Sequence, residues 1–215
     1  MLAEGQTEEA FVNLLLAPHL ADYDLLAIPI IVATKRPAAG GKERGGVSSW
    51  RQVEGDIRRL LGDSNAIGVT TMIDLYGLPR DWPGIELAPS EPFQRVRYLE
   101  SAMAAAIGNG RFVPYLSLHE FEALVLASAS EAEAVSGKPG LGRLIEDDVA
   151  KAGKAELVND SPQTAPSKRL NTYWPTYAKT TDGPRIVQLA GLMAIRSKCS
   201  HFNAWLDGLE VTSKP

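Results

Sequence analysis

Along this chain, short β-branched apolar runs alternate with longer stretches whose apolar residues recur at helical spacing. Residues 25–34 (LLAIPIIVAT) predict a strand. Residues 49–61 place Trp50, Val53, Ile57, Leu60 and Leu61 on one helical face, with Ser48 or Ser49 as the cap. Residues 66–73 (AIGVTTMI) read as a buried strand, 91–107 as a helix with Pro92 in its first turn, 111–118 as a strand and 120–129 as a helix. Such alternation predicts an α/β fold. Its mostly parallel sheet has about four strands and is covered by helices on both faces. Beyond residue 130 strand signals stop, and 140–152, 167–174, 185–197 and 201–209 read as helices. The expected organisation is an α/β core over 1–130 and a helical C-terminal extension over 131–215, packed on the same domain.

Three local features complicate this picture. Only Met1-Leu2-Ala3 precede Glu4-Gly5, whereas a strand normally runs ~5–6 residues; a first strand ending there is either clipped or preceded by more chain than this start shows. Residues 38–46 (AAGGKERGG) form a basic, Gly-rich stretch expected to be a flexible loop. Residues 75–92 form a long Pro-rich loop, with Tyr76 and Trp82 as the residues expected to order it.

Composition narrows the class. The 215 residues are 45% hydrophobic and 22% charged, ordinary for one globular domain and unlike a disordered chain. The longest apolar runs are too short to span a membrane, and no basic region followed by an apolar stretch marks a secretory signal. The single cysteine, Cys199, forms no internal disulfide and no Cys-rich zinc site. A cytoplasmic location is the expectation. The net charge of −4 is unevenly spread: residues 35–59 hold seven Lys/Arg against three Asp/Glu, and residues 161–201 hold six against one. Two basic segments in an acidic chain point to an anion-binding surface, or to two solvated faces that never meet.

Several chemistries lack their residues. There is no Gly-x-Ser-x-Gly elbow, no P-loop ending in Gly-Lys-Ser/Thr, no Gly-x-Gly-x-x-Gly after a strand and no His-Glu-x-x-His helix. What remains is carboxylates at strand ends. Glu4 and Glu8 flank the turn after the first strand, Asp74 ends the run 69–73, and Glu120 and Glu122 follow 112–118. In parallel sheets the ligand crevice lies at the carboxyl ends of the strands, where these groups would converge. Clustered carboxylates need a cation, and hard oxygen donors favour Mg²⁺ or Mn²⁺. Each acid also has a plain structural explanation: Glu8 as a first-turn acid, Asp74 as a turn residue, Glu120 as the partner of Ser117 in a capping box. Because Glu120 has that alternative role, Glu122 is the stronger ligand candidate.

These residues resemble a known pattern. Toprim domains of topoisomerases, primases and nucleases of the overcoming-lysogenization-defect type carry a Glu-Gly turn after the first strand and an Asp-x-Asp after a later one. Ala3-Glu4-Gly5-Gln6-Thr7-Glu8 is similar to the first element. Asp74-Leu75-Tyr76 is similar to half of the second, with Tyr76 where the second Asp would stand. Phe121-Glu122-Ala123-Leu124 resembles the later acidic element of the nuclease branch. Through residues 3–11, 70–79, 112–126, 167–170 and 196–205, the whole chain resembles a bacterial family of Toprim-like proteins of unknown function.

The resemblance implies a Toprim/Rossmann-like fold and a Mg²⁺ or Mn²⁺ site built from Glu4, Glu8, Asp74, Glu120 and Glu122. It also implies an anti-phage context with an AAA/ABC-type ATPase. The basic residues fit a phosphodiester substrate. Ser167-Lys168-Arg169 opens a predicted helix, where amide N–H groups and two cations would meet an anion together, and Lys179, Arg196 and His201 follow, with Lys35 and Arg36 in the earlier basic segment. Trp174 and Trp205 are expected in the core. Two functions stand against each other. One is a metal-dependent nuclease with Glu4, Asp74, Glu122 and Lys168 as catalytic residues. The other is a non-catalytic nucleic-acid or nucleotide sensor subunit of an ATPase complex, favoured by the departure at Tyr76.

Overall fold

The computed structural model describes residues 1–32, 47–159 and 164–211. Among them, a five-stranded parallel sheet has the order β2-β1-β3-β4, with β5 also paired to β3. The strands are β1 (Leu2–Ala3), β2 (Ile30–Ile31), β3 (Val69–Asp74), β4 (Phe112–Val113) and β5 (Leu116–Ser117). Only β3 has ordinary length, and all six of its residues are buried. A central parallel strand is covered on both faces, so it reads as a continuous apolar and β-branched run.

The strand expected over 111–118 is two short strands in one register. Val69 pairs with Phe112, and Ile73 with Leu116. Between them stands Pro114, which has no N–H to donate to the ladder. The Thr71 hydroxyl fills the gap, donating to the Tyr115 carbonyl (2.8 Å) and accepting from the Tyr115 N–H (2.9 Å). Within the described part of the strand expected over 25–34, residues 25–32, only Ile30–Ile31 pair in the sheet; Pro29 precedes them, and they lie at the edge of the described sheet.

Helices α1 (Gln6–Phe11) and α2 (Ala17–Ala21) are joined by a π-helical turn at Val12–Leu16. Helices α3 (Trp50–Leu61) and α4 (Pro92–Ile107) follow as expected. The start of α3 is a correction: no serine hydroxyl caps it. The Trp50 N–H instead donates to both oxygens of Asp81 (3.0 Å each), and Trp50 and Trp82 pack edge to face at 4.9 Å. Trp82 therefore orders the long loop over 75–92, while Tyr76 stays half-exposed. The helix expected over 120–129 breaks into α5 (Glu122–Leu126) and α6 (Ala129–Ser136). The C-terminal layer contains α7 (Leu141–Ala152), α8 (Pro166–Tyr173), α9 (Asp182–Lys198, kinked at Gly191) and α10 (Ser200–Val211).

The sheet separates two apolar clusters. Ile73, with Leu2, Val53, Ile57, Leu99 and Leu116, packs beneath α3 and α4. Met72, one residue earlier and on the opposite face, joins Phe11, Phe121, Leu170, Ile186 and Phe202 beneath the C-terminal helices. Trp174 and Trp205 are both buried, as expected. The helical extension thus covers one face of the sheet that carries the strand-end acids. Among the described residues, no helix is long and apolar enough to cross a membrane.

Candidate active site

The carboxyl ends of β1, β3 and β5 open into a cleft of about 660 Å³, whose lining includes Glu4, Glu8, Asp74, Tyr76, Glu120 and Lys179. Glu4 leaves β1 and accepts the Asp74 N–H at 2.7 Å, tying the ends of β1 and β3 together. Glu8 lies one turn into α1 and accepts the Gly5 N–H at 2.9 Å, the reciprocal half of a capping box. Asp74 accepts the Phe121 N–H at 2.9 Å, joining β3 to the start of α5. Glu122 has no exposed surface and lies behind Lys179.

Lys179, in the loop between α8 and α9, binds these acids together. Its Nζ is 3.4 Å from Asp74 Oδ2 and 3.2 Å from Glu122 Oε2. The Tyr177 hydroxyl donates to the other Glu122 oxygen at 3.4 Å. Gly183, at the start of α9, has no side chain to keep Tyr177 away; a Cβ there would meet its hydroxyl at 2.8 Å.

Burial and mutual repulsion shift the protonation of this cluster. Burial, and then Asp74, hold Glu4 well above the usual carboxylate range and raise Glu8 to about 7. Burial raises Glu122 to about 7 even though Lys179 pulls it down, and burial likewise raises Asp74 against the pull of Lys179. For Lys179 itself burial works downward, but Asp74, Glu122, Glu8 and Glu120 together raise it above its usual value. The cluster is therefore short of positive charge, and one ammonium neutralises only part of it.

Glu120 has a different partner from the one expected. It does not form a capping box with Ser117, which ends β5. Its oxygens accept the Ser167 N–H (2.9 Å) and the Ser167 hydroxyl (3.1 Å). The anion at the start of α8, expected to be a phosphate, is in this structure the protein's own carboxylate.

The chain belongs to the DUF4276 family. The family model, described as "Domain of unknown function (DUF4276)", matches residues 3–210 and so contains the whole cleft. No curated protein and no solved structure matches the chain.

Of the basic candidates, only Lys179 among the described residues lines this cleft. Lys168 is exposed on α8, outside the lining. Arg169 pairs with Asp148 of α7 at 3.0 Å and donates to the Thr164 carbonyl. Arg196 clamps α9 to α10 through Asn203, Asp207 and Glu210. His201 stacks on Tyr115 and meets Glu100 at 3.0 Å. Lys35 and Arg36, like the loop over 38–46, lie outside the described residues. Sequence reasoning missed the bond from the Tyr177 hydroxyl to Glu122 and the Glu120–Ser167 cap; no local pattern signals either, because the partners lie 55 and 47 residues apart.

Among the described residues, no three His, Cys, Asp or Glu side chains are already arranged around one point as metal ligands. The donor set nonetheless suits a hard divalent cation. All the groups are oxygen donors, and Asp74 and Glu122 both reach one cationic atom, the Lys179 nitrogen.

Proposed function

We propose that this protein is a divalent-metal-dependent phosphodiesterase acting on nucleic acid, with a Toprim-like site. The observation that carries this reading is the cluster of Glu4, Glu8, Asp74 and Glu122 at the carboxyl ends of parallel strands, with Lys179 between two of them. Glu4, Asp74 and Glu122 would hold Mg²⁺ or Mn²⁺, with Glu8 beside them. When bound, such an ion activates water and neutralises the charge that develops on a phosphate. Lys179 carries the fixed positive charge of the site, and its side chain, partly exposed, can turn the ammonium from the carboxylates to a phosphate oxygen. The Glu4 bond to the Asp74 amide and the Asp74 bond to the Phe121 amide orient two of the acids. Glu120, committed to Ser167, supports the site as a positioning residue.

One observation favours a second reading. Tyr76 stands where a second Asp would extend the acidic set, which suits a nucleic-acid or nucleotide sensor without catalysis, working beside an ATPase in phage defence. Incubation of the full chain with plasmid and with RNA, in Mg²⁺, Mn²⁺ or EDTA, separates the two. Cleavage with metal, lost in EDTA and in Asp74→Asn, supports the enzyme. Metal-dependent stabilisation without cleavage supports the sensor.

A further inference from the structure

Tyr76 lines two clefts. Beyond the acidic one lies a second, of about 280 Å³, that shares Tyr76 and Gly77 and continues over Pro92, Arg95, His119 and Asn159. Tyr76 is 39% exposed, yet its backbone is fixed: the Tyr76 N–H donates to the His119 carbonyl at 2.8 Å. His119 sits in the left-handed region, with φ of 69°. Residues other than glycine rarely keep that conformation unless their surroundings impose it, and such residues gather at binding sites. The Asn159 amide meets His119 Nδ1 at 3.0 Å. The remaining polar atoms of this pair, His119 Nε2 and Asn159 Oδ1, are buried and have no hydrogen-bond partner among the described residues. In either tautomer and either amide orientation, the pair retains one unused donor and one unused acceptor. The Arg95 guanidinium lies on the same wall, 3.4 Å from the Ala88 and Pro89 carbonyls.

A partly exposed tyrosine, a buried donor–acceptor pair without a partner and a guanidinium next to a carboxylate cluster together complement one nucleotide: its base face on the ring, its phosphate on the guanidinium, and its base edge on the pair once a shift of the His119 or Asn159 side chain uncovers it. We infer that Tyr76 and the His119–Asn159 cleft form a subsite for an unpaired nucleotide flanking the phosphate that the carboxylates address. The inference rests on the phosphodiesterase reading and narrows its substrate to single-stranded nucleic acid, since a base stacked inside a duplex cannot lay its face on Tyr76. It also accounts for a tyrosine at the second-Asp position, because an aromatic ring there binds a base where a carboxylate would repel the backbone.

The test measures binding of a short fluorescein-labelled single-stranded oligonucleotide, and of the same sequence as a blunt duplex, to the full chain in Ca²⁺. Wild type is expected to prefer the single strand. Tyr76→Ala should weaken that binding about tenfold, while Tyr76→Phe, which keeps the ring, binds like wild type. The Mn²⁺-induced rise in melting temperature should be unchanged in Tyr76→Ala. Equal binding by Tyr76→Ala, an equal loss in Tyr76→Phe, or a preference for duplex overturns the subsite. If wild type ignores the single strand while Mn²⁺ still stabilises it, the subsite fails and the metal reading stands. A Tyr76-dependent grip on the single strand without any Mn²⁺ response leaves the subsite and removes the metal-dependent enzyme.

Discussion

Lys179 Nζ lies 3.2 Å from a Glu122 oxygen whose side chain has no exposed surface. Removing the ammonium leaves Glu122 and Asp74 uncompensated, and a buried unpaired charge is costly. Lys179→Met keeps the apolar stem and deletes the charge. Because the lysine is partly exposed, the loss at pH 8 should be about 2 kcal/mol, below the range for a fully buried pair. At pH 5 the acids take up protons and most of that loss should disappear. Urea titrations at both pH values check this; an equal loss at both would mean that the charge is irrelevant.

The metal-free protein should be more stable at pH 5.5 than at pH 8. Glu8 and Glu122 are raised from 4.5 to about 7. Between those values the folded state holds protons that the unfolded state has released. Their contribution is therefore complete below about 4.5 and is lost as pH rises through about 7. A shift of this size corresponds to about 3 kcal/mol for one group. Glu122→Gln mimics the protonated acid and should flatten the profile measured in EDTA. An unchanged slope in that variant would show that Glu122 does not titrate in this range.

Metal binding should follow the opposite trend, because the ion competes with those protons. Mn²⁺ at ~100 times its dissociation constant adds about 2.7 kcal/mol, and the rise in melting temperature should be larger at pH 8 than at pH 6. Asp74→Asn and Glu122→Gln should abolish it, whereas Glu120→Gln should keep it. A shift that survives in Asp74→Asn would place the ion elsewhere.

Glu120 holds the start of α8 through Ser167. Glu120→Ala should cost about 1 kcal/mol, as for the loss of a helix cap. Glu120→Gln retains an acceptor oxygen and should cost less. If both variants melt like wild type, the cap contributes nothing to stability.

Lys168 and Arg169 are neighbours with different surroundings. Arg169→Ala breaks the pair with Asp148, both side chains being mostly buried, and should destabilise by about 3 kcal/mol. Lys168→Ala touches only an exposed side chain and should leave the melting temperature unchanged. A reduced salt dependence of nucleic-acid binding in Lys168→Ala, measured by titration at several ionic strengths, would assign a phosphate contact to it; an identical slope would place it away from the backbone.

The sequence alone determined the parallel α/β class and the strand-end positions of Glu4 and Asp74. Buried strands such as β3 leave a continuous β-branched run, and carboxylates directly after such runs fall at one edge of a parallel sheet. The C-terminal helices were legible for a similar reason, since an apolar face repeats every three to four residues. Only the tertiary structure decided the partners. Lys179 meets Asp74 across 105 residues of sequence, Glu120 chooses Ser167 over the nearby Ser117, and Arg169 turns to Asp148 instead of the cleft. Local pattern records which face of an element is buried, because packing selects residue type at every turn. It does not record which distant side chain a charged group meets, because that pairing depends on how whole helices are placed over the sheet.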